Sequence, residues 1–153
     1  MRDLGTGPRQ HCHWSSLIVV NTPFFSEEFP STFEAMTATL DRAVASLLEG
    51  DWIALPSVPC IRLCLEEALV NAVRHGNQGD ANRRVRLVME DRDDVCMIQV
   101  CDEGGGFQVD DVALPESDQM GGRGICLIRH YMEHVSFDTA SHCLEMSFRR
   151  KSC

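Results

Sequence analysis

Glu67 and Asn71 are the side chains of this chain best spaced to do chemistry together. They stand four residues apart in Leu65-Glu66-Glu67-Ala68-Leu69-Val70-Asn71-Ala72-Val73-Arg74-His75-Gly76-Asn77. On a helix that spacing stacks them on one face, about 40° apart, while Glu66 lies about 140° from Asn71 and points elsewhere. A positioned carboxylate can take the proton of an incoming hydroxyl. An amide oxygen suits magnesium, which keeps several waters and shares its other sites with phosphates. Two glycine-bearing stretches follow, Asp102-Glu103-Gly104-Gly105-Gly106-Phe107 and Gly121-Gly122-Arg123-Gly124-Ile125. Without a Cβ, backbone can approach a ligand closely. A glycine loop that opens a helix turns N–H groups and a positive dipole end toward phosphate oxygens. Taken singly, these are also a solvated helix carboxylate, a capping asparagine and two flexible turns. Their order and spacing along one chain is what carries information.

The elements that must position them follow from periodicity. Leu65, Ala68, Leu69, Ala72 and Val73 mark one apolar face, which predicts a buried helix from about Cys60 to His75. Gly76 is expected as its left-handed C′ residue, with Arg74 and His75 in the last turn near the negative dipole end. Upstream, Ser16 to Asn21 reads as a first strand. Ser31 or Thr32 can cap a helix from Phe33 to Leu48, whose stripe is Phe33, Met36, Leu40, Val44, Leu47 and Leu48 and which Gly50 ends. Downstream, Val85, Leu87 and Met89 alternate with polar neighbours. Asp91 to Asp94 forms a hairpin loop, and Val95 to Cys101 returns with Asp102 at its end. Gln108 to Met120 reads as an acidic mobile flap. Arg123 to Val135 is a helix with Ile125, Ile128, Tyr131, Met132 and Val135 inward. Ser136 to Thr139 and Cys143 to Arg150 form a last hairpin. This order predicts an α+β fold: a two-layer α/β sandwich, its sheet mixed or antiparallel, with helices on one face.

At 153 residues and 44% hydrophobic, the chain is expected to form one domain over residues 15–153, preceded by a loose tail over residues 1–14. In that tail His11-Cys12-His13 lacks a fourth metal ligand. The net charge of −9 disfavours nucleic acid as a partner. No apolar run reaches the ~18–20 residues of a membrane span, and Leu17 to Val20 is too short for a secretory core, so the expected location is cytoplasmic. Eight cysteines without a C-x-x-C spacing are expected as buried or free thiols in a reducing compartment.

The E-x-x-x-N helix, the strand ending in D-x-G-x-G and the later G-x-G opening a helix resemble the GHKL (Bergerat) nucleotide-binding fold. The E-A-x-x-N-A-x-x-H-G form over Glu67 to Gly76 is similar to its anti-sigma factor serine kinase branch. The resemblance covers roughly Phe29 to Arg150. It implies an ATP-dependent serine/threonine-protein kinase with ATP/ADP and Mg2+ as cofactors. Glu67 would be the general base and Asn71 the metal ligand. Asp102 would accept from the adenine amine, with Gly104, Gly106 and Phe107 at the base and Gly122, Gly124 and Ile125 at the phosphates. Arg123 is the candidate γ-phosphate contact, backed by Arg74 and His75. The implied partners are a sigma factor, held inactive, and an anti-anti-sigma protein phosphorylated on serine or threonine; homodimerisation is a further implication. Two features depart from the family's pattern. The flap carries Asp110, Asp111, Glu116 and Asp118 and no base before Arg123, and Ser141-His142 stands where relatives often have Gly-Thr beside adenine. An alternative is a catalytically weak or inactive partner-binding module, and a third reading is a detached histidine-kinase catalytic domain.

Overall fold

The computed structural model describes residues 22–104 and 123–150. The expected first strand at Ser16 to Asn21, the flap, and the candidate residues Gly106, Phe107 and Gly122 lie outside the described residues.

The first described strand, β1, runs over Phe25–Pro30. Its sequence hides it, because an acidic residue occupies an inward position: Glu27 turns toward the first helix. There it accepts from Thr39 Oγ1 at 2.9 Å and from the Arg42 guanidinium. The Arg42 hydrogen bonds hold this carboxyl below its ordinary range, against the opposing effect of burial. Helix α1 covers Phe33–Glu49, and of its two candidate caps Thr32 serves, accepting from the Ala35 N–H at 3.2 Å. Gly50 closes it by donating to Ser46 O at 3.0 Å.

The second helix, α2, begins at Val58 and is α-helical only to Val70; residues Asn71–Gly76 continue as a wider π-helical turn. This corrects the expectation for Gly76. It is not left-handed; the first residues beyond it with positive φ are Gln78 (56°) and Gly79 (68°). The reason for a glycine at 76 is contact rather than torsion, as the site shows.

Strands β2 (Arg84–Arg92) and β3 (Val95–Asp102) form a hairpin. They are longer than the alternation suggests, with Asp93 and Asp94 both left-handed at φ 53° and 64°. That is the pattern of a two-residue turn whose twist matches the strands. Helix α3 spans Arg123–Tyr131, shorter than expected. Val135 belongs instead to β4 (His134–Asp138), and Tyr131, expected inward, is 45% exposed. Strand β5 is Cys143–Arg149.

The described strands pair in the order β1-β2-β3-β5-β4, and every pairing is antiparallel. Register puts Val85, Leu87 and Met89 opposite Asp102, Val100 and Ile98, and Ile98 opposite Met146. These apolar residues share one face, and they bury into a single cluster with Leu40, Leu47, Leu65, Leu69 and Ile128 from the three helices. The fold is therefore the expected α+β sandwich. Asp102 continues the inward set of β3, so the sheet's period-two alternation delivers a carboxylate to the edge of the core.

One cysteine expectation is overturned. Cys101 and Cys143 oppose each other across β3 and β5 with Cα atoms 4.1 Å apart, and they are disulfide-bonded. Strand register, which spacing in sequence does not disclose, brings them together. Cys60, Cys64, Cys96 and Cys126 are free thiols. No described helix is long and apolar enough to cross a membrane.

Candidate active site

The end of α2, the end of β3 and the start of α3 meet at one edge of the molecule, and glycines let them meet. A Cβ on Gly76 would lie 2.1 Å from Asp102 Oδ2, and a Cβ on Gly104 would lie 1.8 Å from Gly76 O. Neither approach is possible for another residue. Gly104 donates its N–H to Asp102 Oδ1 at 2.9 Å. Asp102 thus rests on the last turn of α2 with one oxygen engaged. Burial pushes its carboxyl above its ordinary value, opposed by the Gly104 N–H, then His142, then Arg83.

At the other side of the same helix end, a Cβ on Gly124 would stand 2.3 Å from Glu67 Oε2. The Glu67 carboxylate therefore lies against the first turn of α3. Glu67 is half-buried and its neighbour Glu66 exposed, as the helical geometry requires. Asn71, also half-buried, starts the π turn. About one turn of helix separates it from Gly76, which touches Asp102. Glu67, Asn71, Asp102, Gly104 and Gly124 thus gather around one helix end. Arg74 and His75 are exposed on its last turn, and Arg123 is exposed as the first residue of α3, while Ile125 packs against the core.

A residue that sequence reasoning missed braces this arrangement. Asn77 is 0% exposed. Its Nδ2 donates to Ser31 Oγ at 2.6 Å and Arg84 O at 2.8 Å, and its Oδ1 accepts from the Glu103 N–H at 2.8 Å. One amide thereby ties the end of β1, the start of β2 and the end of β3 to the helix end. The signal was present: an asparagine directly after a helix-terminating glycine. Asn77→Ala should lower stability by about 2–4 kcal/mol, since it leaves buried groups unsatisfied. A urea melt whose midpoint is unchanged would show that water replaces these bonds.

The turn before β5 completes this side. His142 has φ 54°, and its carbonyl accepts the Asp102 N–H at 3.2 Å. Its Nδ1 is buried with no hydrogen-bond partner. The place expected for a Gly-Thr pair thus holds a strained histidine beside Asp102. A separate cleft of about 1010 Å³ opens at the opposite end of the sheet, lined by Trp52, Ile53, Cys60, Tyr131, Phe148 and Arg150 among others. It contains none of the candidate residues.

An antiparallel sheet backed by helices, with glycines pressed against carboxylates at one end, defines a GHKL-type α/β sandwich. Residues 29–148 match the histidine kinase-like ATPase domain, and the chain belongs to that family of ATP-binding, kinase-like ATPases. No curated protein matches it.

Proposed function

We propose that the chain is an ATP-dependent protein serine kinase that also sequesters a sigma factor. The observation that carries this reading is the two-sided use of one helix end. Asp102 lies against Gly76 on one side and Glu67 against Gly124 on the other, so a base acceptor and a proton acceptor flank a single cradle. The residues fit the group. Asn71 offers the amide oxygen a hard cation takes, and α3 begins with a glycine-bearing turn suited to phosphate.

In this reading the Asp102 carboxylate accepts from the exocyclic amine of adenine, and Gly104 leaves room for the base and sugar. The first turn of α3, with Gly124 and Arg123, holds phosphate oxygens. Magnesium, when bound, would neutralise phosphate charge, and Asn71 would hold it. Glu67 takes the proton of the serine hydroxyl as that oxygen attacks the terminal phosphoryl group, whose bond to the β-phosphate oxygen breaks to release ADP. The serine sits on a small anti-anti-sigma protein; the acidic surface of this chain, net charge −9, suits a basic face on the sigma factor. The location that goes with these partners is the cytoplasm.

Incubation with labelled ATP, magnesium and a candidate anti-anti-sigma protein tests this. Acid-stable label on serine is expected. Acid-labile label on histidine would contradict it in favour of a histidine-kinase catalytic domain. Absence of label with partner binding intact would leave the binding module, the reading that strained His142 beside Asp102 favours.

A further inference from the structure

The strand ends that carry Asp102 and His142 are joined from the far side of the sheet. Cys101 precedes Asp102 and Cys143 follows His142, and the two cysteines are bonded to each other. The Asp102 backbone N–H donates to His142 O, so that rung is a hydrogen-bonded pair. The Cys101–Cys143 rung beside it is therefore of the non-hydrogen-bonded type, where antiparallel strands bring Cα atoms closest. That closeness lets the two sulfurs meet.

The pair also differs from its neighbours in chemistry. Cys64 and Cys96 lie in the apolar core, where burial pushes their thiols up to about 11 and about 12, which leaves them inert. Cys101 faces away from the helices and is half-buried; Cys143 is 8% exposed. In a reducing compartment a bond at such a place is regulatory rather than permanent.

Its position bears on the site. Asp102 ends β3. His142 ends a turn shaped by Asp138, which accepts from Ala140 N–H at 3.0 Å and Ser141 Oγ at 2.6 Å. Beyond the cysteines, one backbone hydrogen bond links His142 to Asp102. Strand β2 and the Asn77 bond to the Glu103 N–H hold the other side of Asp102. Without the covalent rung it is therefore the His142 turn that frays, and Asp102 loses the β5-side hydrogen bond that fixes how it sits on Gly76.

We propose that Cys101 and Cys143 form a reversible redox-modification site that sets nucleotide affinity, the bonded form holding the His142 turn against Asp102 and the dithiol loosening that side of the carboxylate's seat. This rests on the reading of the cleft as an ATP site. Oxidation proceeds by exchange with a low-molecular-weight disulfide such as oxidised glutathione. One cysteine thiolate attacks it and expels one small thiolate, giving a mixed disulfide. The second cysteine thiolate then attacks the protein sulfur and expels the other. Two protein thiols are oxidised, one small disulfide is reduced to two thiols, and the protons of the cysteines pass to the released thiolates.

The full chain, equilibrated in reduced or oxidised glutathione, is titrated with ATP and magnesium by calorimetry. The oxidised form should bind roughly three- to tenfold more tightly, the factor expected if about 10–30% of the dithiol form is binding-competent. Denatured protein should titrate for eight thiols after reduction, its full cysteine complement. After oxidation a non-reducing digest should yield Cys101 and Cys143 as one disulfide-linked peptide pair, distinct from glutathione carried by exposed Cys126. Cys143→Ser should bind as the reduced wild type does in both buffers. Exchange of the Asp102 amide hydrogen should be slower in the oxidised form, a readout that needs no ligand. Equal affinity in both buffers, or a digest without that linked pair after oxidation, would overturn the proposal. Redox-dependent Asp102 exchange without ATP binding in either form would overturn the nucleotide reading, and with it the control of affinity, while supporting the modification site.

Discussion

Glu67→Gln should cut phosphoryl transfer to a serine acceptor by roughly 10²–10⁴-fold, the usual worth of a positioned general base, while leaving ATP affinity within about twofold. Glutamine matches the carboxylate in size, so the contact with the first turn of α3 at Gly124 is kept. What it loses is the capacity to take a proton. Glu66→Gln is the control one residue away. It is exposed and about 140° from Asn71, and its transfer rate should match wild type. Single-turnover transfer with labelled ATP reads both. If Glu66→Gln were the slow variant, the face assignment of the helix would be wrong. If both were as fast as wild type, no side chain of this helix would serve as the base.

Gly104→Ala should lower nucleotide affinity by more than about tenfold and stability by roughly 2–4 kcal/mol, an overpacking cost at the upper end because backbone lies in the way. The added carbon would fall 1.8 Å from Gly76 O and 2.9 Å from Asp102 Oδ1. The helix end or the strand end must therefore move, and each carries part of the site. Two further glycines separate this effect from a general one. Gly79 is left-handed at φ 68° with nothing near its absent Cβ. Gly79→Ala should cost about 1 kcal/mol from backbone strain and leave nucleotide binding alone. At Gly124 the neighbour is the tip of a flexible side chain, Glu67 Oε2 at 2.3 Å. Gly124→Ala should therefore fold normally and lose transfer, because the carboxylate swings aside. Urea melts and calorimetry on the three variants test the set, and equal effects at all three positions would contradict it.

What the sequence disclosed depended on the range of the interaction. The stripes of α1 and α2 repeat within a few residues and the alternation of β2 is equally local, so these were legible, while the cap of α1 was legible only as Ser31 or Thr32. Strand β1 was not. Its inward Glu27 is satisfied by Thr39 and Arg42 twelve and fifteen residues on, and an inward, half-buried carboxylate breaks the pattern that reveals strands. The π turn at Asn71–Gly76 was hidden because a wider turn keeps the same apolar side inward. Gly76 was legible as a helix end, but its physical role, a floor for Asp102, needed the juxtaposition of α2 and β3. Asn77 and the Cys101–Cys143 pair belong to the same class, since each joins elements that only the register brings together. Glu67 and Asn71 could be paired from spacing alone because one helix carries both.

Asp102 offers the sharpest test of all. Its Oδ1 accepts from Gly104, and the remaining oxygen would meet the purine. ATP presents an amine donor there, whereas GTP presents a carbonyl that a carboxylate repels. In Asp102→Asn the amide oxygen can keep the Gly104 bond, and an NH₂ group would then face the adenine amine, donor against donor. The variant should nonetheless fold well. Because burial raises the folded pKa of Asp102, folding favours its protonated form. That contribution is present below the ordinary carboxylate range and lost as pH rises through the raised value, so at pH 7 the neutral amide melts no lower than wild type. Calorimetric titration of the wild type with ATP and with GTP, in magnesium, should give at least about tenfold tighter binding of ATP, and Asp102→Asn should remove that preference. Equal affinity of the wild type for the two nucleotides would contradict the assignment of Asp102 as the base-reading residue of this cleft.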